Sequence, residues 1–201
     1  MDSLALHPFM KIYRCLRNNS ITQKFGVENT HSSVLPVYLA MGLKGHEGFD
    51  MAANCVNYNV KIGGQCEPVY YDVDISAKIT YMQKDVKDGF GIIAVSEDKD
   101  GFMKHLWWHF DSINPKLIVG SIIESGDFLG IAGTTGSSTA PHVHRGLYPF
   151  TEPYNNGYHG AVSIEPHFTN IFILDIIENL KTKVGILEKL ISLIKQLKLF
   201  K

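Results

Sequence analysis

The chain contains no run of about 18 or more uncharged apolar residues, the span a helix needs to cross a bilayer, so no membrane-spanning segment is expected. An excess of one charge is missing as well. Lys and Arg total 19 against 20 Asp and Glu, a formal net charge of -1, so no overall field draws in nucleic acid and no nucleic-acid partner is expected. Met1 to Asn19 offer only a short apolar patch at Leu4, Ala5 and Leu6, broken by His7 and Pro8, with the basic residues after it. They do not read as a secretory signal. Cysteine is scarce: Cys15, Cys55 and Cys66 show no CxxC spacing and leave one over after any pairing. Free thiols are the ordinary reading, while the Asn- and Gly-rich loop between Cys55 and Cys66 leaves room for a bridge in an oxidising setting.

What is present suits one compact domain with an appendage: 201 residues, 45% hydrophobic and 19% charged. Residues 1–20 read as a short helical or irregular lead-in, and Ile21 to Gly45, with its Gly, Pro, Ser and Asn, as a loop-rich entry. From Asp50 to Tyr148, short β-branched and aromatic runs (Val69 to Ile79, Gly91 to Glu97, Met103 to Phe110, Phe128 to Ala132) alternate with turn clusters. That pattern predicts a mainly β, antiparallel domain. Residues 151–170 read as a linker. From 171 to 201 apolar residues recur at helical spacing (Ile176, Leu180, Val184, Leu187, Ile191, Ile194, Leu197), which predicts a C-terminal amphipathic α-helix, weakened locally by Gly185. Its apolar stripe admits packing on its own domain, self-association as a coiled coil, or contact with a membrane surface or other partner. The near-heptad spacing favours self-association.

Four of the nine histidines sit in dense local contexts: His46 in Gly-His-Glu-Gly-Phe-Asp, His109 in Trp-Trp-His-Phe, and His142 with His144 in Pro-His-Val-His. Taken singly, His7, His31, His105, His159 and His167 read as structural. His142 and His144 are two apart, so on a strand both imidazoles project from one face and can reach one point in space. A catalytic zinc needs about three protein ligands and an open position, so this pair alone is too few. His46 and Asp50 can supply the remainder if the chain between them turns, which Gly45 and Gly48 permit.

In this order the residues resemble the lysostaphin/LytM family of zinc endopeptidases, marked by HxxxD, a later His after an aromatic residue, and HxH behind a Gly- and Ser-rich loop. Cys66-Glu-Pro-Val-Tyr resembles that family's Gly-Thr-Pro-Val entry to a core strand, and Val119 to Ile131 its strand before the active-site loop. Gly133-Thr-Thr-Gly-Ser-Ser-Thr-Ala-Pro-His-Val-His resembles its final motif. The resemblance runs from Ile21 to about Tyr148. It implies a peptidase domain over 21–150, with His46, Asp50 and His144 as ligands of one Zn2+ per chain. His109 and His142 would handle protons and the oxyanion, and the substrate would be peptides of bacterial peptidoglycan. Action at the bacterial cell wall is then expected, and the packaging suits a phage lysis or virion enzyme. Two features depart from the family: about a dozen extra residues from Cys55 to Gln65, and Arg145-Gly146 after His144, where an aromatic residue and Glu are common. Two rivals stand beside this reading. One takes His46 to Asp50 as a variant of HExxH on a helix with Glu47 as general base; the other is a non-catalytic cell-wall-binding or hydrolase-activating domain of the same fold.

Overall fold

The computed structural model describes residues 10–18, 20–98 and 101–198. The start of the expected lead-in, residues 1–9, and the last residues of the expected helix, 199–201, lie outside the described residues. The strands are β1 (Ile12–Arg14), β2 (Ile21–Gln23), β3 (Phe49–Ala52), β4 (Pro68–Tyr70), β5 (Ala77–Asp85), β6 (Gly89–Asp98), β7 (Gly101–Ile113), β8 (Ile122–Ile123), β9 (Phe128–Ala132), β10 (His142–Pro149) and β11 (Phe168–Phe172). Two helices join them, a short α1 (Leu35–Ala40) and a long α2 (Ile173–Lys198). The fold is mainly β. Nine strands form one sheet in the order β2-β3-β10-β7-β6-β5-β8, with β9 pairing both β7 and β4, and every pairing in it is antiparallel.

One face of this sheet carries the core. Along β10, Val143, Arg145 and Leu147 are buried, and along β7, Met103, His105 and Trp107 are buried; Phe49, Met51, Ile79, Ile92 and Leu129 complete the layer. This alternation sets the register. A one-residue slip of β10 would turn Val143 and Leu147 out to solvent at roughly 1.5–3 kcal/mol each. The pairing of His144 with Asp50 across β10 and β3 is therefore held in place by the opposite face of the sheet.

The core face also holds a buried charge. Arg145 donates from Nε to both Asp72 carboxylate oxygens (3.2 and 3.1 Å) and from a terminal nitrogen to the Gly146 carbonyl (2.5 Å), while its guanidinium lies 4.3 Å over the Trp107 ring. Its other terminal nitrogen reaches His105 Nδ1 at 3.0 Å. Arginine can only donate, so that nitrogen accepts, and His105 Nε2–H donates to Ser96 Oγ at 2.8 Å. Burial, and then the Arg145 charge, push the His105 ring well below the usual histidine range, so it is neutral.

Several local expectations take a different form here. Within the lead-in, Ile12–Arg14 is a strand, paired in parallel with β11 from the far end of the chain, and Met10, Ile12, Cys15 and Leu16 are buried. The run Val69 to Ile79 is two strands: between them the backbone turns to the lead-in, with the Tyr13 amide donating to the Asp72 carbonyl (2.8 Å), an isolated bridge between Ile12 and Val73, and the Lys11 amide donating to Asp74. Residues 151–170, read as a linker, place Ala161 and Ile164 in buried positions, and β11 begins within them at Phe168. The ordinary free-thiol reading gives way at two cysteines, since Cys55 and Cys66 form a disulfide while Cys15 is a buried free thiol. Helix α2 buries only its first turns: Ile173, Leu174, Ile176 and Ile177 pack with Tyr13, Tyr70 and Phe172. Farther on, Leu180, Val184, Leu187, Ile191 and Ile194 are each about half exposed, from 52 to 57%.

Candidate metal centre

The face of the sheet away from the core gathers Asp50, His142 and His144, with His46 in the turn that leads into β3. His46 Nε2 lies 3.1 Å from His144 Nδ1 and 3.2 Å from Asp50 Oδ1, and His144 Nδ1 lies 2.9 Å from the same Asp50 oxygen. Gly48 is required for this approach. A Cβ there would stand 2.3 Å from His144 Cε1 and 2.5 Å from its Nε2. The role of Gly48 is thus to clear space for the ring of His144, in addition to allowing a turn.

The chemistry of these three donors fits a metal ion. His46 Nδ1 meets the Lys24 carbonyl at 3.0 Å, and a carbonyl only accepts, so Nδ1 carries the proton and Nε2 presents a lone pair to the other two atoms. A carboxylate oxygen and two imidazole nitrogens facing one another at about 3 Å need a cation or a shared proton between them. Ligand atoms around a tetrahedral zinc, at roughly 2.0–2.2 Å from it, stand roughly 3.3–3.6 Å apart, close to the spacing seen. The same demand is visible in the titration of the pair. Burial alone would raise the Asp50 carboxyl, but the hydrogen bond from His144, with His46 close beside it, outweighs burial and holds Asp50 below the usual carboxylate range. Burial alone would lower His144, and its bond to Asp50 with that carboxylate's charge raises it. Among the described residues these three form the one His/Cys/Asp/Glu group able to converge on an ion.

His109 reaches this face by an irregularity. In β7 it would follow His105 and Trp107 to the core side. Instead Phe110 pairs with Phe90 while Trp108 pairs with Gly91, so His109 is the extra residue of a β-bulge, in the left-handed region at φ 73°. The bulge turns its ring to the side of the His46–Asp50–His144 cluster, with ring centroids 4.6 Å from His142 and 6.1 Å from His144. His109 Nδ1 donates to the Thr135 carbonyl at 2.7 Å, and His142 Nδ1 to the Ala140 carbonyl at 2.7 Å. Both rings therefore present an unprotonated Nε2, and that of His142 stands 3.8 Å from Asp50 Oδ2. Burial is the main cause that pushes His109 down, to about 3, with the neighbouring His142 and His144 adding to it. His142 is lowered too, mainly by burial, with Asp50 working against it.

The five residues singled out from sequence thus lie in one cluster, and the structure adds supports that carried no sequence signal. Thr135 and Lys24 act through backbone carbonyls, and Tyr38 sets the edge of its ring against His46, centroids 5.7 Å apart. The HExxH alternative meets no helix, because His46 forms an isolated β-bridge with Gly26, residues 47–48 bend into β3, and Glu47 is outside the three-donor group.

No protein-family model matches this chain, and no curated protein sequence does. Solved structures do. The antimicrobial peptidase lysostaphin from Staphylococcus simulans aligns at 20% identity over 77% of this chain and 52% of that one, with a TM-score of 0.50. A zinc-containing peptidase from Vibrio cholerae aligns at 21% identity over 76% of this chain and 37% of that one, TM-score 0.49. The lysostaphin catalytic domain alone aligns at 24% identity over 61% of this chain and 78% of that one, TM-score 0.45. The chain spans about half the length of the lysostaphin chain it matches. It shares the lysostaphin fold.

Proposed function

We propose that this chain is a zinc-dependent metalloendopeptidase that hydrolyses peptide bonds of bacterial peptidoglycan, binding one Zn2+ through His46 Nε2, Asp50 Oδ1 and His144 Nδ1. The observation that carries the reading is the arrangement of protons in the cluster. Three rings commit Nδ1–H to backbone carbonyls, which leaves His46 with a lone pair for the metal and His109 and His142 with lone pairs for protons. Zinc held there would lower the pKa of a water molecule to about 7 and polarise the scissile carbonyl. His142 Nε2 takes the proton of the attacking water, and the Asp50 carboxylate 3.8 Å away stabilises the charged ring. That proton passes from His142 to the neighbouring His109, ring centroids 4.6 Å apart, whose charged form would stabilise the oxyanion and which, reluctant to hold a proton in its buried position, gives it up to the leaving amine. Lysostaphin, described as an antimicrobial peptidase, supports a peptidase by likeness of fold. The non-catalytic alternative has less support, since no position of the five has been lost.

The test is a cell-wall zymogram of the full chain against several bacteria, with and without chelator, run beside zinc analysis of point variants. Clearing should appear and be abolished by chelation. His46→Ala, Asp50→Ala and His144→Ala should each strip most of the zinc, whereas His109→Ala and His142→Ala should keep it and lose roughly 10²–10⁴-fold in rate. A zinc-loaded wild type that clears no wall would return the non-catalytic domain, and a His142 variant as zinc-poor as the His144 variant would make His142 a ligand.

A further inference from the structure

The extra residues after Asp50 form a closed device rather than a loose insertion. The Cys55–Cys66 disulfide shuts the base of the loop, and the Val56 amide to Gln65 carbonyl (3.3 Å) and Asn57 amide to Gly64 carbonyl (3.0 Å) bonds continue it as a narrow hairpin. Its tip lies on the segment Gly133–Ser138. Lys61 Nζ donates to the carbonyls of Gly136 (3.2 Å) and Ser138 (2.8 Å), and the Gly63 amide donates to Asp111 Oδ1 (2.5 Å).

Both anchor points adjoin the paired histidines. Thr135, inside the gripped segment, supplies the carbonyl that holds His109 Nδ1–H, and its hydroxyl bonds the Phe110 carbonyl. Ser138 Oγ meets Thr134 Oγ1 at 2.6 Å, donates to the Ala140 carbonyl at 2.9 Å, and stands 3.3 Å from His142 Nδ1. Asp111 lies two residues beyond His109. The side chains of the segment are only Gly, Thr and Ser; on its inner side it is held by the Gly136 amide to the Val86 carbonyl (2.9 Å) and the Phe90 amide to the Thr135 hydroxyl (2.9 Å), and Gly136, at φ 71°, lies so close to Gly89 that a Cβ would stand 2.8 Å from the Gly89 Cα, so Lys61 adds the grip on the outer side. A single ammonium bridging two carbonyls two residues apart cross-links that turn, and the disulfide holds the ammonium over it.

We propose that the disulfide-closed loop 55–66 braces the Gly133–Ser138 segment, and that Lys61 is a positioning residue for His109 and His142. Lys61 touches no reacting atom; it acts through the carbonyls it holds. The inference rests on the proposed function in so far as His109 and His142 are taken as the proton-handling pair.

The experiment uses the zinc-loaded full chain and the variants Lys61→Met, Lys61→Arg and Cys55→Ser/Cys66→Ser, with zinc content, amide exchange over 133–138, kcat and KM as readouts. Lys61→Met should keep its zinc, speed exchange in the segment about tenfold and lower kcat about tenfold with KM little changed, since small displacements of catalytic groups cost rate steeply. Lys61→Arg, which can donate to the same carbonyls, should restore both, and the double serine variant should reproduce Lys61→Met. Wild-type exchange in Lys61→Met would overturn the brace, and faster exchange with unchanged kcat would overturn the positioning role. If the wild type cleaves no cell wall, the peptidase reading fails while amide exchange still decides the brace.

Discussion

At the scale of single residues, proton placement is set by backbone carbonyls. His46, His109 and His142 each commit one nitrogen to a carbonyl acceptor, which orients the ring and leaves the other nitrogen free to face the cluster. His105 shows the same logic in the core, where Arg145 takes one nitrogen and Ser96 the other. Its depressed pKa makes a pH prediction. The folded ring stays neutral, whereas in the unfolded chain it takes a proton as pH falls through about 6.5, so the unfolded state binds more protons there and stability is lost toward acid. Urea titrations should find wild type losing about 1 kcal/mol more than His105→Asn between pH 6 and pH 5. Parallel pH curves for the two proteins would mean that His105 is not the neutral buried ring described.

At the scale of elements, β10 has two faces with opposite duties. Its His142 and His144 face the candidate metal centre, and its Val143, Arg145 and Leu147 face the core, so an ion pair buried behind the strand helps hold the two rings in front. Removing one partner strands a charge. Arg145→Met should cost about 3–5 kcal/mol in denaturant unfolding because Asp72 loses its counter-ion in a fully buried site. Asp72→Leu combined with Arg145→Met should recover part of that loss, since an apolar replacement leaves no buried charge behind. A double variant less stable than the single one would show that the remaining hydrogen bonds to Trp107 and His105 matter more than the charge.

At the scale of the whole molecule, the chain closes on itself. Strand β1 near its start pairs with β11 near its end, and the first turns of α2 cover that joint. Removal of everything after 170 would cut into this pairing, so the informative truncation falls after Asn179. It should leave a folded monomer. The full chain should run larger than one subunit in size exclusion with light scattering, because Leu180, Val184, Leu187, Ile191 and Ile194 form a half-exposed apolar stripe at near-heptad spacing. A full-length monomer at micromolar concentration would remove self-association as the use of this helix. No helix among the described residues is long and apolar enough to cross a membrane.

Local periodicity in the sequence determined much of this. Two residues of spacing put His142 and His144 on one strand face, short β-branched runs announced antiparallel strands, and spacing near 3.6 announced α2, because each depends only on near neighbours. The tertiary structure alone decided what depends on distant partners. Ile12 becomes a strand only against Phe168, and Asp72 meets its buried counter-ion Arg145 only because the sheet brings together residues 73 apart in the chain. Cys55 and Cys66 are joined because a hairpin brings them together. His109 crosses to the face that carries the candidate metal centre only because the pairing of β7 with β6 leaves one residue over. A bulge is a property of two strands together, and alternation read along one of them predicts the opposite face.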